Sequence, residues 1–115
     1  PVTDLVAMLK ATHRFEAGYL DYLVGNIKDN YSTYFERSPI NNIDQISTPV
    51  IFFHGLKDNV VCLEPVRKMV ANLNDNKVPV EFHTFKNEGH GFRDAISNIK
   101  VLELTEKFFL KHLRL

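Results

Sequence analysis

The sequence is short of several things, and each shortage excludes a class of function. It has no tryptophan and a single cysteine, Cys62, among 115 residues. One thiol rules out an internal disulfide and any thiolate-rich zinc site, and it points mildly to a reducing compartment, so a cytoplasmic setting is expected. Net charge is also missing, since 14 Lys and Arg balance 14 Asp and Glu. Without a positive field the chain has little to draw it onto phosphate backbones or anionic lipid, and neither nucleic acid nor a membrane surface is expected as a partner. Long apolar runs are absent: the longest, Leu5 to Leu9, is far too short to cross a bilayer. Nor is a secretory leader expected at the start, where Asp4 replaces basic charge.

What is present is the composition of a folded chain, 44% hydrophobic and 24% charged, with length for one domain at most. The first part reads as helical. Thr3 or Asp4 can cap a helix that shows Leu5, Met8 and Leu9 on one face, and Leu20, Leu23, Val24 and Ile27 form a second apolar stripe. Residues 28–48, rich in Asn, Asp, Ser and Thr, read mostly as loop. The pattern then changes. Residues 49–55, PVIFFHG, are apolar on both faces and closed by glycine, as in a strand buried within a parallel sheet. A helix is expected over about 64–75, with Val66, Met69, Val70 and Leu73 inward. A second strand covers 79–86, and a last helix runs over about 94–113 with Ile99, Leu102, Phe109 and Leu113 facing in. Strand, helix, strand, helix is an α/β pattern with parallel strands. Two parallel strands are too few for an ordinary complete domain, so an incomplete sheet, one end of a larger one, is expected.

Open α/β sheets place their chemistry in the loops that follow the strands. Gly55-Leu56-Lys57-Asp58-Asn59 follows the first strand, and Asn87-Glu88-Gly89-His90-Gly91-Phe92 follows the second. Asp58 and His90 should therefore meet at one rim of the sheet. A carboxylate that accepts from one imidazole nitrogen fixes the tautomer and stabilises the imidazolium formed when the other nitrogen takes a proton from a nucleophile. The remaining candidates have plainer readings. His54, at the end of a buried strand, reads as a satisfied structural histidine, His83 as facing solvent or a helix, and His13 and His112 as surface positions. A metal site of His54, Asp58, His83 and His90 lacks any short ligand pair, so no metal is expected. Cys62 lies in the wrong loop for a nucleophile and reads as a small buried or semi-buried thiol. Phe15, Tyr19, Tyr22, Tyr31, Tyr34 and Phe35 read as core and interface packing.

PVIFFHGLKDNVV, followed by VPVEFHTFKNEGHGF, resembles the C-terminal part of the prolyl oligopeptidase family of serine peptidases, which are α/β-hydrolases. The resemblance extends upstream through VTDLVAMLKATHRFEAGYLDYLVG and YFERSPINNIDQI, and is nearest the acylaminoacyl peptidase-like branch. It implies that residues 1–115 are the C-terminal portion of a peptidase catalytic domain, with Asp58 of HGxxD as triad carboxylate and His90 of GHGF as general base. A peptide or acyl-peptide substrate and no cofactor are likewise implied. The family's nucleophile sits in a G-x-S-x-G elbow. Ser32, Ser38, Ser47 and Ser97 all lack that setting, and Ser38 in YFERSP reads as a structural connection. The alternative is a non-catalytic, self-associating module. An unpaired strand edge and under-covered helix faces lead to the expectation of a homo-oligomer. If no serine here is activated, a fluorophosphonate probe leaves residues 1–115 unlabelled; labelling would expose a nucleophile among the four.

Overall fold

A computed structural model describes residues 1–11 and 18–114. The order of elements is α1 (Leu5–Ala11), α2 (Tyr19–Val24), α3 (Ile27–Glu36), a 3-10 helix (Pro39–Gln45), β1 (Val50–Gly55), α4 (Leu63–Asp75), β2 (Val80–Phe85) and α5 (Ala95–Leu113). β1 and β2 form a two-stranded parallel sheet in the register Val50↔Val80 through Gly55↔Phe85. His13 and Phe15 lie outside the described residues.

The core is built where the periodicities converge. Val66, Met69, Val70 and Leu73 form the buried stripe of α4, as the spacing predicts. They join Phe52 of β1, Val78 and Ile43 in one cluster, with Val50, Val80 and Phe82 against it. α4 therefore covers the sheet face that carries Phe52 and Phe82. The end of α4 is a Schellman closure: Val78 N–H reaches Leu73 C=O at 3.0 Å and Lys77 N–H reaches Asn74 C=O at 2.9 Å. Lys77 takes the left-handed conformation, φ 60°, that glycine usually fills there.

The expected loop over residues 28–48 is largely wrong, because α3 and the 3-10 helix occupy most of it. Polar residues in and just before this stretch satisfy helix ends. The Asn26 side chain accepts from Lys28 N–H at 2.9 Å. Asn41 Nδ2 donates to Phe35 C=O and Asn42 Nδ2 to Glu36 and Ser38 C=O, so these amides hold orphan carbonyls beyond α3. Tyr34, fully buried, fastens the element by donating its hydroxyl to Gly25 C=O at 2.9 Å. Nor is the stripe Leu20 to Ile27 one helix. Gly25, at φ 97°, separates α2 from α3, leaving Leu20 buried and Leu23 exposed.

α5 departs from expectation in its orientation. Ile99, Leu102, Phe109 and Leu113 are exposed, and Phe108 is the residue of α5 that is buried. α5 lies against β1. Among the described residues too little surface is available to cover the rest of its apolar face. Tyr19, Tyr22, Tyr31 and Phe35 are exposed as well, so of the described aromatics named as packing residues Tyr34 alone serves the core. Cys62 is exposed, not buried, because it occupies the N-cap of α4, at the surface end of the helix. No helix among the described residues is long and apolar enough to cross a membrane.

At the N-terminal end, Asp4 caps α1, its Oδ1 accepting from Ala7 N–H at 3.0 Å. Ser38 ties this helix to α3: fully buried, its Oγ accepts from Leu5 N–H at 2.9 Å and donates to Tyr34 C=O at 2.7 Å. Ser38→Ala leaves a buried donor and acceptor unmatched and should lower unfolding free energy by about 1–3 kcal/mol in urea titration. An unchanged midpoint would mean that water takes over both bonds.

Candidate active site

The site begins with the ends of the two strands. Gly55 and Phe85 are register partners, so the loops that follow leave the sheet side by side. Leu56 N–H donates to Phe85 C=O and Lys57 N–H to Glu88 C=O, both at 2.9 Å, sewing the loops together. Such close contact needs glycine at position 55. A Cβ there would strike the carbonyl oxygens of Glu88 and Gly89, backbone atoms with no freedom to withdraw.

Asp58 is fixed by its own loop. Its Oδ1 accepts from Val60 and Val61 N–H, each at 2.9 Å, in the local side-chain-to-backbone pattern that aspartate favours in turns. That leaves Oδ2 for His90, whose Nδ1 stands 3.1 Å away. The carboxylate side chain is 7% exposed and the imidazole 57%. A carboxylate accepts only, so Nδ1 carries the hydrogen of this bond and Nε2 is left to take a proton. Burial opposes the charge on Asp58, but hydrogen bonds from Val61, His90 and Val60 outweigh it and hold the carboxyl below the usual aspartate range. The spacing thus leads where it should: Asp58 and His90 meet at one rim of adjacent parallel strands. Beside them an open cleft of about 530 Å³ is lined by Asn59, Asn87, His90 and Arg93 among others.

The other histidines behave differently from one another. His54 is buried, 2% exposed, and only half satisfied: the ring has a backbone hydrogen bond at Val61, but its Nε2 has no hydrogen-bond partner and stands 4.0 Å from Asp58 Oδ2. Geometry explains this, since Oδ2 is already turned to His90 and Oδ1 to the backbone. Burial lowers the His54 pKa, and the charge of nearby Asp58 does not reverse it. His83 is half-buried, its Nε2 3.1 Å from Glu81 Oε2 and its ring stacked at 5.7 Å on Phe53. His112 is half-buried with its ring 4.5 Å from that of Phe108. No group of three or more His, Cys, Asp or Glu among the described residues is arranged to hold a metal ion.

Two residues of the site escaped the sequence reading. In the sequence Gly55 reads as a strand end and part of HGxxD, and Glu88 as part of the loop after the second strand. Glu88 is 5% exposed, and its carboxylate accepts from Arg93 and Asp94 N–H at 2.9 and 3.1 Å. A carboxylate six residues before the helix cap Asp94 was a usable signal, because backbone N–H groups near a helix start need acceptors.

Both His54 and Asp58 hold depressed pKa values in the folded state, so each favours folding above its unfolded value and loses that contribution on acidification. For His54 the loss begins as pH falls below about 6.5, the ordinary histidine value. Stability should therefore drop between pH 7.5 and 5.5, and His54→Asn should flatten that drop. Parallel pH profiles for wild type and variant would show that His54 takes up its proton without cost.

Known proteins resemble this chain in sequence and in fold. The prolyl oligopeptidase family profile matches residues 1–115. Dipeptidyl aminopeptidase BIII of Pseudoxanthomonas mexicana is 33% identical over 73 residues, covering 64% of this chain and 11% of that protein. A Mycobacterium tuberculosis puromycin-hydrolyzing peptidase is 36% identical with a TM-score of 0.93, over 97% of this chain and 17% of its own. Puromycin hydrolase is 29% identical with a TM-score of 0.94, over 100% of this chain and 18% of its own. Pyrococcus horikoshii acylaminoacyl peptidase, 19% identical, shares the fold with a TM-score of 0.85, over 97% of this chain and 19% of its own. The chain thus spans about a tenth to a fifth of the length of these relatives. Its two parallel strands and flanking helices are part of an α/β-hydrolase fold, and with its full length matched the chain belongs to the prolyl oligopeptidase family.

Proposed function

We propose that residues 1–115 supply the carboxylate and the general base of a serine-type acyl transfer that hydrolyses a peptide or acyl-peptide. The observation that carries this reading is the 3.1 Å bond between a buried Asp58 and an exposed His90 at the ends of adjacent strands. Asp58 holds the Nδ1–H tautomer. His90 Nε2 takes the hydroxyl proton of a serine as its oxygen bonds to the substrate carbonyl carbon. The same proton then passes to the amine as the carbon–nitrogen bond breaks. Water repeats the cycle on the acyl-enzyme, returning the serine.

The serine itself is expected outside residues 1–115. Ser38 is buried and committed to Leu5 and Tyr34, and Ser97 serves the N-cap of α5 with Asp94. This agrees with the family's chain order of serine, aspartate, histidine. The names of the puromycin-cleaving relatives support amide substrates, and puromycin belongs among the first compounds to test.

The test uses the intact protein that contains these residues, assayed on puromycin and on free and N-acetylated aminoacyl p-nitroanilides. His90→Ala should cut turnover by roughly 10⁴-fold or more, and Asp58→Asn, which removes the tautomer control, by a similar factor. Wild-type turnover in a folded His90→Ala protein would end this reading.

A further inference from the structure

We propose that Glu88 is a positioning residue for His90, clamping the turn that follows the histidine while tying its loop to the one that carries Asp58. The inference rests on the proposed role of His90, and it concerns what sets the distance between His90 and Asp58.

Glu88 is the residue at which the two loops meet. Its backbone C=O receives Lys57 N–H at 2.9 Å, one residue before Asp58. Its side chain turns the other way. Oε2 accepts from Arg93 N–H at 2.9 Å and Oε1 from Asp94 N–H at 3.1 Å, so each carboxylate oxygen holds one backbone donor. Residues 89–92, with His90 among them, form an arch whose two feet are both on Glu88. Gly89 and Gly91 flank the histidine and give the arch little stiffness of its own. Phe92 holds the far side of the arch, its ring 4.8 Å from that of Phe85 and its C=O accepting from Asn98 Nδ2 at 3.1 Å, and the remaining stiffness comes from the feet. The hydrogen bond from Arg93, and then those from Asp94 N–H and the Ser97 side chain, keep the Glu88 carboxyl below the usual glutamate range despite its burial and the nearby Asp94 charge. The clamp is therefore anionic at neutral pH, and charge-assisted bonds to backbone N–H are the stronger kind. Asp94 in turn caps α5 through Ser97 N–H at 3.1 Å, so the far foot of the arch is anchored on a helix of 19 residues.

The chemistry of two acceptors facing two donors makes the isostere informative. Glu88→Gln keeps size and shape but turns one oxygen into an NH₂ group, which meets a backbone N–H donor to donor. A role in packing alone would tolerate this change; a clamp would not. In the intact protein, with an aminoacyl p-nitroanilide as substrate, Glu88→Gln should lower kcat by roughly 10- to 100-fold, since misplacement of about 1 Å is enough for that. KM should stay within about twofold, because the acyl-binding groups are not touched. The ¹⁵N spectrum of the His90 ring provides a readout independent of turnover. Wild type should show the Nδ1–H tautomer, and Glu88→Gln a mixture of tautomers.

Wild-type kcat and an unchanged ring spectrum in a folded Glu88→Gln protein, with His90→Ala inactive, would overturn the clamp and leave the proposed function standing. An active His90→Ala protein would remove the functional reading, while the ring spectrum would still report on the clamp. Glu88→Asp, which keeps the charge but shortens the reach by one methylene, serves if Glu88→Gln does not fold. Failure of both to fold would make Glu88 a folding residue, and that too would overturn the inference.

Discussion

The close approach of two loops above Gly55 is the constraint on which the site depends. Parallel strands in register bring their ends together, but they do not by themselves bring side chains from the following loops within hydrogen-bond reach. That requires the second loop to lie directly over the end of the first strand, where its carbonyls occupy the space a Cβ would fill. From there the bonds run outward in order. Lys57 meets Glu88, Asp58 folds back on Val60 and Val61, and His90 turns to the one carboxylate oxygen left. Removing the contact at Gly55 would undo the geometry of every later step, even with both functional side chains present.

The parts of this architecture that were legible in the sequence are those governed by short-range rules. β1, α4 and β2 are apolar segments bounded by Gly, Pro and Asn, and α4 buries the four residues its spacing selects. The meeting of Asp58 and His90 followed from topology, since each closely follows one of two neighbouring parallel strands. What stayed hidden depends on individual contacts that composition and periodicity do not encode. Asn41 and Asn42 read as loop residues because their composition does not reveal that their amides reach the carbonyls at the end of α3. α5 has apolar residues around much of its circumference, so periodicity could not select Phe108 as the one to bury. His54 finds a backbone partner at Val61, but its Nε2 finds none, because the nearby Asp58 carboxylate is occupied on both oxygens.

The N-terminal layer and the layer around the sheet are stabilised by different means. α1, α3 and the 3-10 helix are joined through buried polar atoms: the Ser38 hydroxyl bonds both α1 and α3, and the Tyr34 hydroxyl closes the bend at Gly25. The layer around the sheet is held by apolar contact, with α4 on one face and the rings of Phe53, His83, Phe85 and Phe92 in mutual contact on the other. The exposed apolar residues Ile99, Leu102, Leu110 and Leu113 of α5 belong to neither layer. The solved relatives are several times longer than this chain, and their extra length gives the family ample material for covering such a face.

The two connections that flank β2 differ in how much change in length they can absorb. The one before it, residues 76–79, ends a helix with a Schellman turn, sets Val78 in the core and leads into a strand held by its own ladder. The one after it is measured from both ends, by Glu88 against Lys57 and by Asp94 at the cap of α5. An insertion at the exposed Asn76 or Lys77 would bulge into solvent, whereas a single added residue between Glu88 and Arg93 would slide the imidazole past its carboxylate. Length variation within the family should therefore collect ahead of β2 and be purged behind it.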